Sequence, residues 1–160
     1  MVWPRNIGTA QAQLLVSGPQ GVFDDCQPIL AALAGDLRYF GENIRGAAAL
    51  DLALLSRLTG MIFGAIHGAH LVESESIPLD QFFDVLPTGD RAQYLVQAML
   101  NDFAVSGGGA TVDVAAVAVS RIAEQAADAR INSEFPDLLA RLAKRAQNAG
   151  YGAQETAAFV

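Results

Sequence analysis

The sequence predicts a mainly α-helical chain, organised on one long helix and opened by a short strand–helix–strand unit. Three observations carry this. Residues 43–73 contain no proline and are dominated by Ala and Leu. That suits one continuous helix, roughly 45 Å long at about 1.5 Å per residue. Beyond it the apolar residues keep helical spacing. Before it, two short apolar runs bounded by glycines flank a helix-like segment, which is the pattern of strand, helix, strand.

Taken in order, Met1–Gly8 is irregular, with Pro4 and Gly8 as breakers. Ala10–Ser17 alternates and then turns apolar between Gly8 and Gly18, as a strand does. Pro19–Ala34 is helical by composition, with Gly35 as its C-terminal cap and Pro28 as a possible kink. Asp36–Phe40 forms a second strand and Gly41 turns the chain. Two or three strands cannot cover both faces of a sheet. Residues 1–41 therefore look like the tail of a larger α/β domain that is missing its start. Residues 42–160 form the second, helical domain. After the long helix come Pro78–Val85, opened by Ser76 as a cap, and Thr88–Ala104. A loop with Gly107, Gly108 and Gly109 follows. Helices then cover Thr111–Ala129 and Pro136–Asn148, Gly150-Tyr-Gly breaks the chain, and Ala153–Val160 forms a last helix. That helix stops on its apolar stripe, Ala-Ala-Phe-Val, and looks cut.

Composition narrows the function classes. Hydrophobic residues make up 52% and charged residues 17%. This is apolar for a soluble monomer, so extra apolar surface is expected to meet a partner chain. The net charge is −7 and Lys and Arg are not clustered, which disfavours nucleic acid. Cys26 is the single cysteine, so no intrachain disulfide is possible and a reducing, cytoplasmic setting is expected. Met1-Val-Trp-Pro-Arg lacks a signal-peptide pattern. The longest charge-free run, Leu58–Val72, is short for a bilayer span, and no membrane segment is expected.

Asp51 is the leading candidate for chemistry. It shares a helix face with Leu55, Leu58 and Ile62. A buried carboxylate costs several kcal/mol unless it is paired or neutralised. It either pairs with Arg45, Arg57 or a group on another chain, or it serves a reaction. Gly60, Gly64 and Gly68 recur every four residues on the other side of the helix. Each costs about 1 kcal/mol in a helix interior, so another backbone, that of a second helix, is expected to approach closely there, from the same chain or, as the favoured case, from a second copy. His67 and His70 stand three apart, with Glu73 extending the stripe, but no third ligand type is near, and core or interface histidines fit better than a metal site. Cys26 has no partner motif. No Gly-x-Gly-x-x-Gly follows a strand, so no dinucleotide cradle is legible.

The order of these motifs resembles a known family. Gly46-Ala-Ala-Ala-Leu-Asp51-Leu-Ala-Leu-Leu, followed by the Gly- and His-bearing helix, resembles the interdomain helix of the NADPH-dependent imine reductases and reductive aminases. Trp3-Pro4-Arg5-Asn6-Ile7-Gly8-Thr9 with Leu14-Leu15-Val16-Ser17-Gly18 resembles the end of that family's Rossmann-type cofactor domain. Arg130-Ile131-Asn132, Phe135-Pro136, Arg145-Ala146 and Ala149-Gly150-Tyr151-Gly152 resemble its C-terminal helices. The resemblance implies an interdomain helix plus a helical dimerisation domain, an interlocked homodimer, and hydride transfer from NADPH to a small-molecule imine. Asp51 would supply or relay the proton. At Thr59 the family often carries Tyr; here a Thr either assists or simply bonds to a backbone carbonyl. Trp3 would line the substrate cleft, or anchor a strand end. Met99, Val117 and Arg121 are placed near the cleft by helical position.

Taken together these features read as the C-terminal half of an imine reductase-like oxidoreductase, with NADPH not expected to bind the isolated chain. A non-enzymatic helical dimerisation module, or a truncated gene product, is the alternative from another class. A β-hydroxyacid dehydrogenase fragment is disfavoured, because Asp51 stands where that family needs Lys.

Overall fold

A computed structural model of the chain describes residues 6–87 and 110–159. The expected helix at Thr88–Ala104, the Gly107–Gly109 loop, Trp3 and Met99 lie outside those residues. The chain divides into two compact units, Met1–Leu54 and Leu55–Val160.

In the first unit β1 (Gln13–Val16), α1 (Gln20–Leu33) and β2 (Asp36–Tyr39) make the strand–helix–strand motif expected from the sequence. The strands pair in parallel, Gln13 opposite Asp36 through to Val16 opposite Tyr39, as a helical crossover requires. Gln13 Nε2 donates to Asp36 Oδ2 at 2.8 Å, and Arg38 pairs with the same carboxylate at 3.0 Å. Arg38 and then Gln13 hold the Asp36 carboxyl below its ordinary value. Phe23 of α1 stacks on Tyr39 with centroids 4.5 Å apart, and the Tyr39 hydroxyl donates to the Gly18 carbonyl at 2.6 Å. Pro28 lies inside α1 without ending it.

Gly35 does not cap α1. Ala34, at the cap position, is extended, with φ −153° and ψ 132°. Gly35 is needed for a different reason: a Cβ there would lie 2.5 Å from Ala10 Cα and 2.6 Å from the Ala10 carbonyl oxygen. The Gly35 N–H donates to Thr9 O at 3.1 Å, so the two backbones lie against each other. At Gly41, φ is +85°, and the chain turns there as expected.

Helix α2 (Gly46–Ser74) is the long helix, starting three residues after the expected Asn43. It is the one described helix long and apolar enough to cross a membrane, although the charge-free run within it is short. It carries Asp51 and Arg57, and in the second unit it gives Thr59, Ile62, Ala65, Ile66 and Ala69 to a buried stripe. That stripe joins Val112, Ala115 and Val119 of α4 (Val112–Asp128), and Leu139, Ala143 and Ala146 of α5 (Glu134–Asn148), in one apolar core with Phe159. Phe63 and Phe159 stack at 4.8 Å. Between α2 and α4 lies α3 (Leu79–Val85).

Three helices end in the same way. After α2, the Ser76 N–H donates to Glu73 O at 2.9 Å and Ile77 N–H to Val72 O at 3.1 Å. Arg130 and Ile131 repeat the pattern after α4, and Gly150 and Tyr151 after α5. This is the Schellman arrangement, which puts its pivot residue at positive φ. The pivots are Ser76 at 59°, Arg130 at 55° and Gly150 at 91°. Ser76 therefore closes α2 and does not open α3, whose N-cap position is held by Pro78. Helix α4 starts as the sequence predicts, with Thr111 Oγ1 accepting the Val114 N–H at 3.4 Å. Helix α5 begins at Glu134, ahead of Pro136, because a proline in the first turn forfeits no intrahelical bond.

The last segment differs from the expected helix. Among the described residues of 153–159 the regular structure is a 3-10 turn, Thr156–Ala158, preceded by a bridge from Glu155 to Thr111. Gly152 O accepts the Asp113 N–H at 3.0 Å and Gln154 O accepts the Val112 N–H at 2.9 Å. The segment satisfies the open amides of α4 instead of winding on itself.

Replacing Gly35 with Ala tests the backbone contact of the first unit. The added methyl forces Ala10 to move, so Gly35→Ala should destabilise this unit by about 1–3 kcal/mol. Urea unfolding followed by the Tyr39 ring signals in NMR spectra reads this; an unchanged midpoint would mean the two backbones are not in contact.

Candidate functional site

Asp51 sits in the second turn of α2 and is half-buried. Among the described residues it forms no hydrogen bond or ion pair; the pairing with Arg45 or Arg57 that a structural role would use is not made. It lies one turn beyond Ala47, whose N–H is held from outside the helix. The Ser17 hydroxyl, just past the end of β1, accepts the Ala47 N–H at 2.9 Å and donates to the Ile44 carbonyl at 3.3 Å. Sequence reading assigned Ser17 to the end of a strand; only its position immediately before Gly18 hinted at a turn.

Thr59 is 4% exposed. Its hydroxyl is within donor range of the carbonyls of Leu55 at 2.9 Å and Ser56 at 3.0 Å, one turn back in its own helix. This is the backbone-bonding role, and it engages the hydroxyl proton. Val117 and Arg121 are exposed on α4, off the stripe of Val112, Ala115, Val119, Ile122 and Ala126 that faces the core.

The glycine stripe of α2 is used within the chain at two of its three positions. A Cβ at Gly60 would lie 3.2 Å from Phe135 Cζ, and one at Gly68 would lie 3.1 Å from Phe82 Cζ. The close neighbours there are ring edges, not another helix backbone. At Gly64 nothing lies within 4 Å. Gly64 opens into a groove of about 470 Å³ walled by Phe63, Phe135, Leu138 and Leu142, with His67, His70 and Arg145 also at its lining. His67 and His70 are exposed, and His70 Nδ1 meets Glu73 Oε2 at 3.2 Å. No group of three metal-ligating side chains occurs among the described residues. Cys26 is half-buried, beside Val22, Phe23 and Leu30 in a separate apolar hollow of the first unit.

Sequence reading also missed Glu155, which is fully buried. Its place in a segment taken for an amphipathic helix hid it, since a helix of that composition would have left it on an outer face.

A dinucleotide's pyrophosphate binds where a parallel strand runs into a helix N-terminus. In the described residues that place is the β1–α1 turn, Ser17-Gly18-Pro19-Gln20-Gly21. Pro19, at the N-cap position of α1, has no N–H to offer. The Gly18 N–H already donates to Gly41 O at 3.0 Å, and the Ser17 hydroxyl is engaged by α2. This turn lacks the Gly-x-Gly-x-x-Gly spacing that lets a diphosphate approach the backbone.

In chain order a βαβ unit is followed by a long apolar helix that carries Asp51 in its second turn, and then by a helical core closed by a C-terminal strap. The sequence pattern of the NADPH-dependent reductive aminase-like family, C-terminal domain, matches residues 43–160, and the chain belongs to that family. The chain is similar to the NADPH-dependent reductive aminase of Aspergillus oryzae, with 26% identity over 170 residues that cover all of this chain and 57% of that protein. It is also similar to a variant of the imine reductase from Myxococcus stipitatus solved with NAD+, with 25% identity, a TM-score of 0.52, and coverage of 99% of this chain and 58% of that one. The fold alone is shared with 3-hydroxyisobutyrate dehydrogenase from Salmonella typhimurium, at 20% identity and a TM-score of 0.79, covering 97% of this chain and 55% of that one. The chain thus spans a little over half the length of these relatives.

Proposed function

We propose that this chain is the C-terminal half of an NADPH-dependent imine reductase or reductive aminase, and that Asp51 delivers or relays the proton taken up by the substrate nitrogen when a C=N bond is reduced. The observation that carries this reading is Asp51 itself. It is a half-buried carboxylate on an apolar helix, inside the family-matched stretch, without a partner among the described residues. A carboxyl group so placed can hold a proton at a substrate atom, and its apolar helix neighbours Leu55 and Leu58 limit competition from water. Thr59 keeps its hydroxyl proton on backbone carbonyls and offers only its oxygen lone pairs, so the proton itself falls to Asp51. Val117 and Arg121 are exposed on α4 and free to meet a small molecule there.

In this reading residues 1–41 belong to a cofactor-binding α/β domain and residues 42–160 form the interdomain helix and dimerisation domain. NADPH is assigned to a complementary α/β half, because no Gly-x-Gly-x-x-Gly follows a strand in this chain. The protein acts as a cytoplasmic homodimer on a small-molecule imine, with neither nucleic acid nor membrane as partner. The dimer is supported by the exposed apolar side chains Phe135 and Leu138 beside the open Gly64, and the compartment by the single cysteine.

Two measurements test this. The first uses this chain joined to, or co-expressed with, an α/β half that supplies NADPH. Asp51→Asn keeps the side chain's size but removes its acidic proton. Turnover of a cyclic imine should fall roughly 10²–10⁴-fold while the melting temperature is retained. Near-normal turnover in folded Asp51→Asn protein would refute the assignment. The second concerns assembly. Light scattering on the 160-residue chain should give twice the chain mass at low micromolar concentration, and Gly64→Leu should return it to one chain mass. A Gly64→Leu protein that remains dimeric would place the contact elsewhere on the surface.

A further inference from the structure

We propose that Ser17 is a positioning residue for Asp51, acting as an N-cap supplied from outside the helix. The inference rests on the reading of Asp51 as the proton-handling group. A helix leaves its first four N–H groups without intrahelical partners, and a side-chain oxygen at the cap normally takes one of them. At the start of α2 the Asn43 side chain accepts the Arg45 N–H at 3.1 Å and the Asn43 carbonyl the Gly46 N–H at 2.7 Å, while the Arg45 carbonyl accepts the Ala49 N–H at 2.9 Å; none of these reaches the Ala47 N–H. The Ala47 N–H is taken instead by Ser17 Oγ at 2.9 Å, thirty residues earlier in the chain. The same hydroxyl donates to Ile44 O at 3.3 Å, so it grips the chain on both sides of the helix start.

The clamp has a fixed base. Gly18 is held through both of its backbone polar groups: its N–H donates to Gly41 O at 3.0 Å, and its carbonyl accepts the Tyr39 hydroxyl at 2.6 Å. The start of the helix packs directly on Ser17: a Cβ at Gly46 would lie in ordinary contact, 3.4 Å from Ser17 Cβ and 3.6 Å from Ser17 Oγ. Asp51 follows Ala47 by four residues, so the two share a face one turn apart. Where the first turn is held, the carboxylate one turn on is held; where that turn frays, the carboxylate moves with it. The geometry thus ties the end of a parallel strand to the direction of the acid.

Amide exchange in the intact 160-residue chain tests the clamp. Ser17→Ala should speed exchange at Ala47 by about tenfold or more, the equivalent of losing roughly 1.4 kcal/mol of a cap. Ser17→Thr keeps the oxygen and should stay close to wild type. Unchanged exchange in Ser17→Ala overturns the clamp. Kinetics in the NADPH-supplied assembly test positioning against simple stability. Ser17→Ala should lower kcat roughly 10- to 100-fold with little change in KM, and Ser17→Thr should restore it. In an Asp51→Asn background, Ser17→Ala should add less than about a twofold loss, because residues acting through one group are not additive. If Asp51→Asn is severely impaired but Ser17→Ala turns over normally, the positioning role is wrong and the acid assignment stands. If Asp51→Asn itself turns over normally, the acid assignment fails and takes the positioning role with it.

Discussion

Helix α2 is apolar on nearly every side, yet within the chain it buries one stripe, Thr59, Ile62, Ala65, Ile66 and Ala69. The arrangement of the second unit follows from how neighbouring elements reach that helix. Phe135 at the start of α5 and Phe82 of α3 bring ring edges to 3.2 and 3.1 Å from where Cβ atoms would stand at Gly60 and Gly68. A methyl at either place would require the ring to give by a few tenths of an ångström. The glycines forgo about 1 kcal/mol each of helix propensity, and contact with an aromatic ring offsets it.

The helix ends show how the chain keeps this core closed. Three helices stop in Schellman turns, so the carbonyls of the last turn are satisfied locally and the following chain leaves at a defined angle. Two of the pivots, Ser76 and Arg130, are not glycine. Such residues at positive φ carry a backbone cost, which the two turn hydrogen bonds after each helix help to offset. At the other end of α4 the C-terminal segment bonds the first amides of the helix through Gly152 and Gln154. The same device, a backbone donor satisfied from a distant part of the chain, recurs at the start of α2 through Ser17.

Local signals made much of this legible. The run over residues 43–73 announced α2 through composition, Thr111 marked the start of α4, and the alternation before Gly18 announced β1. What stayed hidden depends on residues far apart in sequence. Gly35 reads as a helix cap because glycine so often is one, but its role is set by the Ala10 backbone. Ser76 reads as an N-cap because it precedes a helix, but the helix before it claims it first. The glycine stripe signalled approach of another helix backbone; ring edges of Phe135 and Phe82 make the approach at Gly60 and Gly68 instead, and nothing lies within 4 Å at Gly64. Asp51 stood out because charge inside an apolar helix is costly, and the family match covers it. Ser17 did not, because a hydroxyl after a strand is unremarkable until the fold brings Ala47 to it.

The central claim is that one helix serves as core over Thr59–Ala69 and as a held platform for a carboxylate near its start. Residue-resolved hydrogen exchange along α2 in the intact chain tests this most directly. The account predicts the slowest exchange from Thr59 to Ala69, measurable protection already at Ala47, and faster exchange over the exposed final turn from Leu71 to Ser74. Uniformly fast exchange through Thr59–Ala69, as in a solvated helix that merely links two units, would contradict it.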